Sequence, residues 1–124
     1  MNQYTLMNNP VLFRIVAIIW TIIIFLGCSV PGPDIPPVLT LWHDKLMHIA
    51  IFVPFGLLWV LAGYRALPVL LAGILYGGFI EICQGILPIN RSADVQDAIA
   101  DTVGALIGVA LGLVWQRLFH KQRL

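Results

Sequence analysis

Four long apolar segments dominate this chain and limit the folds available to it. They run from about Val11 to Val30, Leu46 to Gly63, Ala66 to Leu87 and Ala98 to Phe119. Each approaches the roughly 20 residues with which a helix crosses a bilayer. Of the 124 residues, 60% are hydrophobic and 10% are charged, and a soluble chain this short cannot bury so much apolar surface. We therefore predict an all-α membrane protein with four transmembrane helices in a single membrane domain over residues 1–124.

Basic residues predict the orientation of these helices. If the N-terminus is cytoplasmic, five basic residues fall on the inner side and two on the outer side. The inner set is Arg14, Arg65, Arg117, Lys121 and Arg123, and the outer set is Lys45 and Arg91. This excess favours an N-in, C-in arrangement. The tight "GYRA" turn joins the second and third helices in an antiparallel hairpin, so we expect an antiparallel bundle.

The two longer connections carry turn signals. "PGPDIPPVLTLWHD" contains four of the eight prolines and is predicted to be an outer loop with little helix. In "PINRSADVQD", Ser92 or Asp94 is expected to cap the fourth helix. Cys28 and Cys83 lie at similar predicted depths, which permits a disulfide, but two buried thiols are the favoured interpretation.

Glycines recur at four-residue intervals in two of the predicted helices. The third helix has Gly73 and Gly77, and the fourth has Gly104, Gly108 and Gly112. Small residues at this spacing let helix backbones approach closely in a membrane. We predict that these two helices pack together, with a homodimer through one glycine stripe as the rival interpretation.

Polar residues collect at one end of the predicted bundle. All six acidic residues fall on the outer side, and helical spacing places Lys45 with His48, and Asp97 with Asp101, on shared faces. Ionisable groups at membrane depth are costly and normally face the bundle interior. The predicted outer-leaflet pocket contains Lys45, His48, Glu81, Gln84, Arg91, Asp94, Asp97 and Asp101.

The pocket residues permit more than one interpretation. If they serve only to pair, Arg91 is expected to meet Asp94, and Glu81 to meet Lys45 or His48. Crowded carboxylates otherwise need a shared proton or a cation. His48, Glu81, Asp97 and Asp101 are suitable ligands for Ca²⁺, Mg²⁺ or Zn²⁺. Because the chain lacks a compact ligand motif such as HExxH, we predict no bound metal and no cofactor.

The same residues resemble a known family. The segments "HDKLMHIAIFVPFGLL" and "EICQGILPINRSADVQDAIADTVGALIG" look like the VanZ-like family of small bacterial membrane proteins, over residues 44–112. Asp101 stands where that family usually has Asn, which adds a charge beside Asp97. The residues that match the family pattern are Asp44, Lys45, His48, Phe52, Gly56, Glu81, Gln84, Pro88, Arg91, Asp97 and Gly104.

This resemblance implies a bacterial inner-membrane protein that lowers susceptibility to teicoplanin-type glycopeptides. The first hypothesis is that it binds an outer-leaflet amphiphile, a lipid-linked cell-wall component or the glycopeptide itself. Lys45 and Arg91 would hold an anionic group, and the carboxylates and Gln84 would accept hydrogen bonds from sugars or amines. Besides such a ligand, membrane lipids are the expected partners.

Two other functions are kept open. In a hydrolase or transferase acting on a lipid-linked substrate, His48 or Glu81 would be the general base, while Lys45 and Arg91 would stabilise phosphoryl charge. The chain has no evident serine or cysteine nucleophile beside a base. A small transporter would require an oligomer. Nucleic-acid binding is excluded because the basic residues are too few for an electrostatic footprint.

Overall fold

The computed structural model describes residues 9–29, 42–88 and 93–120, and within these ranges all regular secondary structure is helical. The helices are α1 (Pro10–Cys28), α2 (Trp42–Leu61), α3 (Ala66–Ile86) and α4 (Val95–His120). The prediction of four helices is confirmed. Three of them, α1, α3 and α4, are long and apolar enough to cross a membrane, and α2 has a shorter apolar stretch, Lys45–Leu61.

Local sequence signals determine where the helices begin and end. Asn9 caps α1, since its side-chain oxygen accepts hydrogen bonds from the amides of Val11 and Leu12. The Asp94 carboxylate accepts from the amide of Gln96 at 2.9 Å, so Asp94 is a cap of α4, as predicted. Gly63 adopts a φ of 103° in the turn before α3, a conformation that side chains other than glycine's rarely adopt.

The predicted boundaries need two corrections. The second helix begins at Trp42 and not near Leu46, so the last three residues assigned to the proline-rich loop are helical. The rest of that loop, and Ser92, lie outside the described residues. The fourth helix begins at Val95, three residues before the predicted start, because Asp94 supplies its cap.

Aromatic residues fill the centre of the bundle. Phe52 and Phe55 of α2 are buried, and both rings contact that of Tyr76 on α3. The Tyr76 hydroxyl donates to the carbonyl oxygen of Thr21 at 2.6 Å, which ties α1 to α3. Large apolar side chains on the outer faces remain exposed, such as Leu75 at 74% and Ile86 at 77%, as expected where lipid replaces water.

The most extensive contact joins α2 and α4, and it corrects the predicted role of the glycine stripe. A Cβ on Gly104 or Gly108 would collide with the carbonyl oxygen of Ile49 or Val53 in α2. The stripe on α4 therefore lies against α2 and not against α3. Within the described chain α2 already covers this stripe, so a homodimer formed through it would require α2 to separate; the homodimer itself stays a prediction.

The contacts also show the relative directions of the helices. Along α4, the partners of successive glycines advance from Ile49 to Val60 in α2, so α2 and α4 run in the same direction. On α3, Gly73 faces Ala105 and Gly77 faces Asp101, so α3 and α4 run in opposite directions. The glycines of α3 thus do pack on α4, as predicted, although they meet its side chains instead of its glycines.

Gly108→Ala tests the backbone contact between α2 and α4. The added methyl group would meet the Val53 carbonyl, which cannot move without displacing α2. We expect a loss of about 1–3 kcal/mol in the free energy of unfolding, as for other overpacked cores. The matched control is Gly78→Ala on α3, where a Cβ meets nothing within 4 Å and alanine's helix propensity favours folding by about 1 kcal/mol. Equal thermal stability of the two variants in detergent would contradict the packing.

Candidate functional site

A group of ionisable side chains lies where the start of α2, the end of α3 and the start of α4 meet. We call it the buried polar cluster, and its members are Lys45, His48, Glu81, Asp94, Asp97 and Asp101. His48, Glu81, Asp97 and Asp101 are all at most 6% exposed. The structure thus brings together six of the eight predicted pocket residues.

Lys45 links α2 to the start of α4. Its ammonium donates to Asp94 Oδ2 at 2.6 Å and to Asp97 Oδ1. The hydrogen bond from Lys45 holds the pKa of the Asp94 carboxyl below its ordinary value. The two alternative partners expected for Glu81 were Lys45 and His48; among the described residues Lys45 meets the two aspartates, whereas His48 and Glu81 have ligand atoms within 4.8 Å of each other.

His48 lies one helical turn deeper, between the two aspartates of α4. Its Nδ1 is 2.7 Å from Asp101 Oδ1, and its Nε2 is 3.7 Å from Asp97 Oδ2. Lys45 and His48 are three residues apart on α2, and Asp97 and Asp101 are four apart on α4. Lys45 therefore meets Asp97, and His48 meets Asp101. A buried hydrogen bond to a carboxylate fixes the tautomer and orientation of an imidazole ring.

Glu81 reaches the same group from α3. Its Oε2 accepts a hydrogen bond from the backbone amide of Asp94 at 2.9 Å, which joins the end of α3 to the cap of α4. The other oxygen, Oε1, is buried and has no hydrogen-bond partner among the described residues. Such a buried acceptor is uncommon in folded proteins and costs about 1–3 kcal/mol when nothing satisfies it.

The remaining predicted pocket residues are placed differently. Gln84 is buried, but its amide donates to the carbonyl oxygen of Cys28 at 2.8 Å, so it links α3 to the last turn of α1. Arg91 lies outside the described residues, as does its expected pairing with Asp94. Cys28 and Cys83 are both thiols in the described structure; Cys28 is buried, as expected, but Cys83 is only partly buried.

An apolar groove adjoins the buried polar cluster. It lies between α1 and α2, has a volume of about 140 Å³, and includes His48 in its wall. The remaining lining is almost wholly apolar: Trp20, Ile23, Ile24, Gly27, Cys28, Met47 and Ile51. A second groove of about 400 Å³ lies beside Thr21, Phe55, Trp59 and Tyr76, which are not members of the cluster.

The donor atoms of the cluster are compatible with a shared cation. One ligand atom from each of His48, Glu81 and Asp97 lies within 4.8 Å of those of the other two. Imidazole nitrogen and carboxylate oxygen are both ligands of divalent transition metals. Of the four ligands weighed from the sequence, Asp101 is not in this group and instead bonds to His48.

Helix α1 is the part of the site that sequence reasoning missed. It supplies most of the groove wall, and the Trp20 indole donates to the Ile51 carbonyl oxygen at 2.8 Å. Apolar residues on a transmembrane helix look alike whether they face lipid or a groove. The one available signal is Gly27, a small residue at the level of the cluster.

Fold and site together define a small helical membrane protein with a buried carboxylate–histidine–lysine cluster at one end of its helices. The family model for VanZ/LLP1 matches residues 10–116, and the chain belongs to the VanZ/LLP1 family. The match begins at α1 and is longer than the resemblance over residues 44–112. The chain has no match among curated proteins or solved structures.

Proposed function

We propose that this protein binds a membrane-anchored amphiphile and thereby lowers susceptibility to teicoplanin-type glycopeptides. The ligand is either a lipid-linked cell-wall component or the lipoglycopeptide itself. The observation that carries this proposal is the position of His48, which belongs to the buried polar cluster and also lines the apolar groove. A polar headgroup and an apolar tail would therefore find suitable surfaces side by side.

The charges of the cluster favour a headgroup rich in hydrogen-bond donors. Among the described residues, four carboxylates of the cluster face one lysine: Glu81, Asp94, Asp97 and Asp101. That lysine already bonds to two of them, so it is a weaker anchor for an anionic group than the sequence suggested. Sugar hydroxyls and amines supply the donors that carboxylates accept.

The apolar groove suits an acyl chain. Its lining side chains come from two helices, and the exposed faces around it, including Ile23 and Met47, are those that would meet lipid. An acyl chain entering from the bilayer therefore moves between two apolar surroundings. Binding then depends on shape and on the headgroup, since burial from lipid brings little hydrophobic gain.

Gly27→Leu tests the groove directly. A Cβ on Gly27 meets nothing within 4 Å, so the variant should fold, while the leucine side chain occupies part of the groove. An acyl chain forced against the leucine would be overpacked, at a cost of about 1–3 kcal/mol, so we expect about 5- to 150-fold weaker binding of teicoplanin to the protein in nanodiscs.

Gly78→Leu on α3 is the matched control, because a Cβ there also meets nothing within 4 Å and Gly78 does not line the groove. It should bind teicoplanin as the wild type does. Unchanged affinity in Gly27→Leu, or wild-type binding no stronger than that of empty nanodiscs, would contradict the proposal.

One observation favours a second function, hydrolysis or group transfer on a lipid-linked substrate. The buried hydrogen bond between His48 and Asp101 is the arrangement in which a carboxylate orients a histidine base. In that case His48→Ala and Glu81→Gln abolish turnover of an undecaprenyl-linked phosphate substrate. Full turnover in both variants would exclude these residues as the general base.

We also propose that all four helices cross the bacterial inner membrane, with both termini in the cytoplasm. The 20 residues of α2 extend about 30 Å at 1.5 Å per residue, which is the thickness of the hydrocarbon core. The buried polar cluster then lies in the outer leaflet. A reporter inserted between Pro88 and Val95 should give a periplasmic signal, and a stable cytoplasmic signal would overturn this orientation.

A further inference from the structure

We infer that His48, Glu81 and Asp97 form a binding site for a divalent transition-metal ion of the zinc class. The three side chains come from three different helices, α2, α3 and α4, and are all buried. One ligand atom of each lies within 4.8 Å of the other two. Ligand atoms around a tetrahedral zinc ion lie about 3.4 Å apart, so the side chains need to close by no more than about 1.4 Å.

One polar atom of each of the three residues is held by a neighbouring group. His48 Nδ1 bonds to Asp101, Asp97 Oδ1 accepts from Lys45, and Glu81 Oε2 accepts from the Asp94 amide. The His48–Asp101 pair matches the carboxylate–histidine arrangement that orients ligating imidazoles in metal proteins. The neighbours thus orient a nitrogen and two carboxylates before any ion arrives.

Glu81 provides the second, independent observation. Its Oε1 is buried without a hydrogen-bond partner among the described residues, while the whole residue is 5% exposed. The hydrogen bond to Oε2 does not offset the loss of stability caused by burying Oε1 without a hydrogen bond. Coordination of a cation satisfies that oxygen.

The net charge of the cluster also favours a bound cation. With His48 neutral and the other groups ionised, four carboxylates and one ammonium sum to minus three among the described members. Charges at membrane depth are costly unless neighbouring charges compensate them. A divalent cation would bring the same group to minus one.

The donor set selects the class of metal. Calcium takes six to eight oxygen ligands and magnesium keeps several of its waters, whereas an imidazole nitrogen favours a first-row transition metal, and zinc accepts imidazole and carboxylate ligands together. Three protein ligands leave one position open for water or for an oxygen of a bound molecule. The inference reverses the expectation from the sequence that no metal binds, and it does not rest on the proposed amphiphile.

The test is a zinc titration of the full chain, without a histidine tag, after EDTA treatment in detergent. We expect about one zinc ion per chain by calorimetry and elemental analysis. Glu81→Gln and Asp97→Asn should lose this stoichiometric binding, and Asp101→Asn should weaken it about 10- to 100-fold, as for other residues that orient a ligand. Gln96→Ala, an exposed neighbour of Asp97 that contributes only its backbone amide to Asp94, should bind as the wild type does.

A measurement on the wild type alone covers the case in which variants fail to fold. X-ray absorption of the zinc-loaded protein should show only nitrogen and oxygen ligands at about 2.0–2.2 Å, with an imidazole signature. Sulfur at about 2.3 Å would place the ion on the cysteines and overturn the assignment. No stoichiometric zinc, or equal binding by folded wild type and Glu81→Gln, would do so as well. Teicoplanin binding in nanodiscs should be measured with EDTA present, so that failure of either proposal leaves the other intact.

Discussion

The backbone contact between α2 and α4 determines where the functional side chains lie. Gly104 and Gly108 place α4 directly on the carbonyls of α2. On α2, Gly56 packs against the α4 backbone, since an added Cβ there would lie 2.5 Å from the Ala105 carbonyl oxygen. Helices packed through larger side chains lie about 8–10 Å apart. The closer approach here lets a histidine and a lysine on α2 reach aspartates on α4 without lipid or water between them.

The same contact explains how so many charged side chains are tolerated between packed helices. Two matched pairs, Lys45 with Asp97 and His48 with Asp101, follow each other along parallel helices. Glu81 from α3 joins the start of α4 through a backbone amide. The cluster is thus part of the packing of three helices, and removing one partner would leave a buried charge uncompensated, which is far costlier than never burying the pair. We therefore expect that replacing any one member of the cluster alters the contribution of the others to stability.

The sequence predicted the helices well because hydropathy and turn chemistry are local properties. It also predicted six of the residues that gather in the cluster, since spacings of three and four residues define a helix face. It did not predict the partner of the α4 glycine stripe, because nothing local distinguishes a face that packs on α2 from one that packs on α3. Gly56 was a signal for α2, but a lone glycine lacks the periodicity that drew attention to α3.

The pairings within the cluster were also beyond the sequence. Glu81 was expected to pair with Lys45 or His48, but the register of α2 against α4 gives Lys45 the carboxylates of Asp94 and Asp97. Register depends on backbone contacts distributed along both helices, and no single residue encodes it. The groove beside His48 was missed for a similar reason, since its wall is formed largely by ordinary apolar residues of α1.

The site depends most on the register of α2 against α4 that brings His48 to Asp101. Solid-state NMR of the protein in bilayers, with labelled histidine nitrogen and aspartate carboxyl carbon, measures this contact directly. The structure predicts a strong dipolar coupling between His48 Nδ1 and the Asp101 carboxyl carbon, because Nδ1 lies 2.7 Å from its oxygen. The coupling should disappear in Asp101→Asn, which carries no labelled carboxyl there. If the wild type shows no coupling between these two groups, the register of α2 on α4, and with it the site, is wrong.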